Sequence, residues 1–282
     1  SQVYQTRAND SGFADKDQIG VYIVDYDGGS AGTLRNNGNR ADNVKFTFDE
    51  AAYKWTSDRD IYWKDKETHI DVYGYYPYAS VENVNEYAFE VQKDQSTEAL
   101  NGKLGGYEAS DFLWGKAENA APTDRIVRLS FAHKMAGVRV TLVKGTGFSD
   151  AEWSEAGKEV LILNTKRQAV IDLSTGVVTA SGEADGTGII PYKKGKDFRA
   201  VVVPQEIAEG TPLISVTVDG IPYRFSRGIV LAPSRQHNFT ITVNKRAPGD
   251  FEFKVGDESI TAWENDDVSH DATTREYVVI NV

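Results

Sequence analysis

Apolar and polar positions alternate along most of this chain, and the alternation is that of strands. Residues 19–26 (Ile-Gly-Val-Tyr-Ile-Val-Asp-Tyr) read as a first strand, and a Gly- and Asn-rich tract at 28–43 reads as a loop. Val44, Phe46 and Phe48 alternate with Lys45 and Thr47 as a second strand, and Trp55 follows a turn. The densest stretch is 61–78, where two aromatic-rich runs flank a polar tract at 64–69. Ile70 and Val72 share one parity, while Asp71, Tyr73 and Tyr75 share the other, which predicts a strand with one face on a core. Pro77 cannot donate to a ladder and is expected to end that strand. Together the two runs predict a core hairpin of an all-β domain, the rival reading being an aromatic platform that stacks on sugar rings.

Residues 79–110 are less regular, with a short helix expected at 96–100, capped by Ser96 and ended by Gly102, Gly105 and Gly106. Residues 111–115 are a short apolar strand. Val127, Leu129 and Phe131 then alternate on odd positions, whereas Val138, Val140 and Leu142 alternate on even ones. One regular strand cannot turn both sets to one core, so a bulge or bend is expected within 132–137. Residues 145–157 read as the joint between two domains, 1–150 and 151–282. Beyond it, strands are expected near 160–163 and 169–173, with a tight turn at 174–176 into 177–179. Another run, 201–203, stops at Pro204; residues 214–218 turn through Asp219-Gly220 towards Tyr223 and Phe225; and 239–243 and 277–280 follow. Helical periodicity is nearly absent over three turns, while strand signals recur every ~8 to 15 residues, the spacing of sandwiches. The expected fold is all-β, with two consecutive β-sandwich domains.

Composition narrows the function. With 282 residues, 40% apolar and 11% aromatic, the chain has ample material for packed cores and too many aromatics for disorder. Its formal charge of −11 and lack of any Lys/Arg-rich run argue against nucleic acid or an anionic membrane surface as partner. The absence of cysteine removes disulfides, thiolate nucleophiles and Cys-ligated zinc. No apolar run reaches the 18 residues of a membrane-spanning helix. The first residues, Ser-Gln-Val-Tyr-Gln-Thr-Arg, carry no signal-peptide pattern and no initiator Met, and are expected to follow a removed upstream segment.

Candidate chemistry is sparse. His69, His133, His237 and His270 are scattered, with no pair at metal-ligand spacing, and His133 reads as a structural hydrogen-bonding residue. No nucleophile elbow or phosphate loop occurs, and the Gly-rich tracts at 102–106 and 182–188 read as loops. Acidic residues are plentiful, but no carboxylate pair stands out for glycoside chemistry. Glu264, Asn265, Asp266 and Asp267, with Asp271, form the densest acidic cluster and read as a solvated turn rather than a calcium loop. Catalytic residues, a metal site and a cofactor are therefore none of them expected.

An ordered series of short motifs adds to this. Thr6-Arg7-Ala8 is followed by Asp17-Gln18-Ile19-Gly20-Val21-Tyr22, Trp55, and Ile61-Tyr62-Trp63. Then come Val72-Tyr73-Gly74-Tyr75-Tyr76-Pro77-Tyr78, Asp111-Phe112-Leu113-Trp114-Gly115 and Leu129-Ser130-Phe131-Ala132-His133-Lys134-Met135-Ala136. In order and spacing over residues 6–142 the series resembles the Bacteroidales fimbrillin-like family, subunits of type V pili. The resemblance implies two transthyretin-like β-sandwich domains in a non-catalytic fimbrial or cell-surface adhesion subunit. It also implies export to the cell surface, outer membrane or fimbrium, with a lipid anchor on an upstream Cys that this chain does not contain. Assembly in such a family implies strand addition between fimbrillin-like subunits, after a protease cuts behind an Arg in the N-terminal arm. Arg7 best fits the cut, with Arg35 and Arg40 as alternatives. The implied donor strand is Glu276, Tyr277, Val278, Val279, Ile280, Asn281 and Val282, whose plainer reading is the last strand of the second domain. Trp63, Tyr73 and Tyr75 would then be packing residues. The alternative function is a surface module binding a glycan or another host or bacterial surface ligand.

Overall fold

The computed structural model describes residues 13–124 and 126–263, and the backbone of a strand at 275–278. Where apolar residues alternate, strands form. The first unit contains β1 (Gln18–Asp25), β2 (Ala41–Asp49), β3 (Lys54–Ser57) and β4 (Ile70–Tyr76), then β5 (Tyr87–Glu90), α1 (Gly106–Ser110), β6 (Leu113–Ala120), β7 (Val127–Ser130) and β8 (Ala132–His133). Six of these make one antiparallel sheet in the order β3-β2-β1-β4-β6-β8.

The parity read from residues 70–76 is kept, but both faces are covered and all seven residues are buried. Ile70, Val72 and Tyr76 face a cluster with Ile19, Val21, Phe46, Trp55 and Trp63. Tyr73 and Tyr75 face a second cluster with Tyr87, Phe89 and Phe112. Asp71 is buried too, and its carboxylate is satisfied by the Tyr26 hydroxyl (2.9 Å), the Asn119 N–H (2.9 Å) and Lys116 Nζ (3.2 Å). The expected hairpin between 61–63 and 70–76 does not form. Strand β4 pairs instead with β1 and β6, and Ile61 and Trp63 enter the core from an irregular segment.

The expected helix at 96–100 is also displaced, to α1. Ser96 spends its N–H and hydroxyl on Asp94 Oδ1, a local turn that competes with capping. The helix starts at Gly106 instead, packed so closely on Asp94 that a Cβ there would lie 2.0 Å from its carbonyl oxygen.

The second unit begins with β9 (Ala136–Lys144), α2 (Asp150–Glu155), β10 (Lys158–Ile162), β11 (Thr165–Asp172) and β12 (Val177–Asp185). It continues with β13 (Tyr192–Lys194), β14 (Asp197–Val202), β15 (Gln205–Ile207), β16 (Pro212–Val218), β17 (Ile221–Ser226), β18 (Ile229–Leu231), β19 (Arg235–Ala247), β20 (Asp250–Val255) and β21 (Ser259–Ala262). Its main sheet runs β13-β14-β9-β19-β20, with β9 and β19 parallel and β21 on the first part of β19. Val160, Ile162, Ile214 and Val216, from the sheet β10-β16-β17, share an apolar cluster with Val138, Val140, Phe239 and Ile241 of the main sheet. Sandwich packing of this kind is what single-sided alternation on many short strands produces. The Asp219-Gly220 hairpin is as expected: both residues have positive φ (47° and 80°), which suits the twist of the β16–β17 pair.

The phase change between 127–131 and 138–142 has a larger cause than a bulge. Strand β7 belongs to the first unit, while β9 lies in the middle of the second unit's main sheet. The odd and even sets therefore face different cores. Residues 145–157 lie beyond this handover, where the Gly145 N–H donates to the Val243 carbonyl (2.8 Å) and Ser149 and Glu152 close a capping box on α2. Traffic also runs the other way, since β5 pairs with β11. We propose 131–135, in place of 150, as the point where the two domains divide.

Candidate functional site

One face of the first sheet is covered by an apolar layer. Phe13, Ile61, Trp63, Val127 and Leu129 cluster there with the sheet's own apolar residues, Trp55 among them. Strand β7 turns Val127 and Leu129 inward, and Arg128 and Ser130 outward. Among the described residues its one ladder partner is β22 (Arg275–Val278), close to the end of the chain. The pairing is antiparallel, with Ser130 opposite Arg275, Leu129 opposite Glu276, Arg128 opposite Tyr277 and Val127 opposite Val278.

Two glycines let β7 approach. Gly74 on β4 and Gly115 on β6 are directly opposite each other. A Cβ on Gly115 would lie 2.3 Å from the Ser130 carbonyl oxygen, and one on Gly74 would lie 2.8 Å from Phe131 Cζ and 3.0 Å from Leu129 Cδ1. The pair makes a flat seat on an otherwise aromatic surface, the usual meaning of a glycine inside a strand. Phe13 enters the same layer, with its ring edge-on to Trp55 (5.0 Å), Tyr76 (5.5 Å) and Phe131 (5.6 Å). Beside it the buried Trp63 Nε1 has no hydrogen-bond partner among the described residues. A buried donor of this kind costs stability until an acceptor reaches it.

His133 sits where the two units meet, in the structural role expected of it. Its Nδ1 is 2.8 Å from Asp111 Oδ1, and its ring stacks on Trp263 at 4.4 Å and 5°. The Trp263 N–H donates to the Ser234 carbonyl (3.1 Å), and the Ser234 hydroxyl donates to the His133 carbonyl. Trp263 is thus fixed immediately before the C-terminal segment leaves the second unit.

Of the expected site residues, Tyr277 and Val278 fall within β22 together with Glu276. Arg7, the run 279–282, His270 and the acidic cluster at 264–267 and 271 lie outside the described residues. Arg35 is exposed, while Arg40 pairs with Asp25 at 2.5 Å. Burial pushes the Tyr75 and Tyr76 phenols up, with Asp17 adding to the effect at Tyr76, and pushes Tyr87 up to about 12. These phenols stay protonated at neutral pH and act as packing groups with a hydrogen-bonding tip. Among the described residues no three His, Asp or Glu side chains converge as metal ligands.

A second feature lies at the edge of the first unit. A cleft of about 300 Å³ is lined by Asn39, Arg40, Asp42, Arg59, Asp60 and Tyr62. Tyr62 is 57% exposed, with its hydroxyl on Asp60 (3.2 Å), and Asp42 is locked by the backbone N–H groups of Gly38 and Asn39 (3.0 Å each).

A family model described as fimbrillin-like matches residues 6–263. The chain belongs to the fimbrillin-like family. Its fold is shared with solved structures. A candidate cell adhesion protein from Bacteroides uniformis has a TM-score of 0.63 at 21% identity, over 89% of this chain and 92% of that one. One from Bacteroides ovatus has a TM-score of 0.66 at 16% identity, over 89% and 88%. A fimbrial protein from Bacteroides vulgatus has a TM-score of 0.51 at 10% identity, over 87% and 92%. No curated protein sequence matches. In this fimbrillin-like chain the sequence reading missed the glycine seat, although both glycines stand in quoted motifs. The signal was there: Gly74 interrupts an aromatic strand and Gly115 follows Trp114, and a glycine inside a strand marks close approach.

Proposed function

We propose that the protein is a non-catalytic fimbrial or cell-surface adhesion subunit whose protomers join by β-strand exchange. The observation that carries this reading is the seat of β22: the terminal strand leaves the second unit and pairs with β7 of the first. Main-chain bonds along β7 supply affinity, while alternate side chains facing the sheet fix register. The same seat in the next subunit links two copies without new chemistry. The Trp63 Nε1, unpartnered among the described residues, supports a site completed from outside. Residues 276–282 are the donor in this account, and Arg7, six positions before Phe13, is the processing site. The partners are other fimbrillin-like subunits, and the location is the cell surface, at the outer membrane or in a fimbrium, through a lipid anchor on an upstream Cys. The domains are read as transthyretin-like sandwiches.

Limited digestion with an Arg-specific protease tests the processing step. The wild-type chain is expected to lose its first seven residues and form ladders of oligomers, whereas Arg7→Ala stays uncut there and monomeric. Clean cutting at Arg7 without oligomers would contradict the assembly mechanism.

A second reading rests on the cleft at Tyr62. An exposed phenol ring flanked by fixed carboxylates and a guanidinium suits a neutral polyhydroxyl ligand such as a saccharide. In this reading Tyr62→Ala abolishes binding on a glycan array and leaves unfolding unchanged. An array on which wild type binds nothing removes it.

A further inference from the structure

We infer that in the isolated subunit β7 is capped in cis by the chain's own residues 275–278, launched from the Trp263–His133 stack, and that a second copy's strand must displace this cap to join. The inference rests on the strand-exchange reading and adds its regulation.

The geometry begins with where the chain leaves and returns. Trp263 is held on His133 by the ring stack and to Ser234 by its backbone N–H. A Cβ on Gly137 would stand 3.5 Å from the Trp263 ring, so that glycine borders the same pocket. His133 is three residues past Ser130, a chain distance of about 10 Å at ~3.3 Å per residue. Pairing of the terminal strand starts at Ser130, opposite Arg275, and proceeds towards Val127. Exit and re-entry are therefore at the same end of β7, and the direction of return is the antiparallel one.

The connecting residues 264–274 number eleven. Fully extended they would reach about 36 Å, more than the chain distance of about 10 Å between His133 and Ser130. A tether of eleven residues presents its end at an effective concentration on the order of millimolar. A second subunit at micromolar concentration competes at a disadvantage of about a thousandfold. Fresh subunits are thus kept apart by their own tails; once Arg7 is cut, joining still requires a neighbour's strand to displace the tail, and a longer tether, a released Trp263 or a higher local subunit density favours it. The capped form also hides the β7 edge, which would otherwise be an open template for indiscriminate pairing.

The chain contains no cysteine, so introduced thiols report without interference. Arg128 and Tyr277 are opposite partners, and R128C/Y277C is expected to yield an intramolecular disulfide in a monomer at a rate independent of protein concentration. Nitroxide labels at the same two positions read proximity without demanding disulfide geometry. Their short distance is expected to survive dilution of the labelled protein into excess unlabelled chain. A short distance lost on that dilution, with disulfide dimers forming between separate R128C and Y277C chains, overturns the cis cap and leaves strand exchange standing. No short distance in either format overturns both. Inserting about twenty Gly/Ser residues between Trp263 and Arg275 is expected to raise dimer yield in the mixed single-cysteine experiment about fivefold, the −3/2-power dilution of the tethered end. An unchanged yield would contradict tether control.

Discussion

Gly115→Val is expected to be among the most damaging single substitutions outside the deep cores, because it forces β7 off the first sheet. The new Cβ would meet the Ser130 carbonyl oxygen at 2.3 Å, and a backbone atom can give way only by moving its strand. Overpacking alone costs about 1–3 kcal/mol. Lifting β7 also exposes Val127 and Leu129, which are now 3% and 0% accessible. Gly74→Val sets the comparison. Its near contacts are the side-chain atoms Phe131 Cζ and Leu129 Cδ1, which have rotamers to yield, so it should cost less. Urea unfolding gives the stability order, and pairing of the terminal strand gives the functional one. Gly115→Val should impair both, whereas equal and small effects from the two glycines would show that close approach of β7 is unimportant.

Tyr75→Ala is the second large effect. The side chain is 1% exposed, packed on Tyr87 (5.8 Å between ring centroids) and Phe112 (6.2 Å). Its ring covers Gly20, where a Cβ would lie 2.2 Å from Tyr75 Cε1. Removing so large a buried ring costs about 3–5 kcal/mol. The hydroxyl lies 2.7 Å from the Ala79 carbonyl oxygen and 2.8 Å from Asn43 Oδ1. Tyr75→Phe keeps the ring and removes that link, at about 1–3 kcal/mol for polar groups left short of a partner. Thermal or urea unfolding of the pair separates the two contributions. A stacking platform for sugars would give a different result: Ala at this position would leave stability nearly unchanged and abolish ligand binding.

These two sites also show what a one-dimensional pattern can and cannot carry. Parity at 70–76 was legible because side-chain direction in a strand is fixed by position alone. That both faces of β4 are covered was not, because the second cover comes from Tyr87, Phe89 and Phe112, brought in by an irregular excursion. The pairing of 61–63 with 70–76 was inferred from nearness in sequence, yet β1 and β6 flank β4. The phase change after Phe131 was located correctly, but its cause is a change of sheet, which depends on partners 99 positions away, such as His237 opposite Val138 and Thr240 opposite Thr141. The final run 277–280 has strand character on any reading. Nothing within it states which sheet it joins, because main-chain pairing is indifferent to distance along the chain. The glycine seat lay between these cases, visible as two interruptions whose meaning needed both strands side by side.

Amide hydrogen exchange along residues 127–130 tests the central claim most directly. The full chain is compared with one ending at residue 263, and with that shorter chain plus a peptide of residues 275–282. We expect protection of β7 in the full chain, its loss on truncation, and its return when the peptide is added in trans. Equal protection of these amides with and without the terminal strand would show that β7 needs no added partner, and the account of the molecule as a subunit completed by a strand would fall.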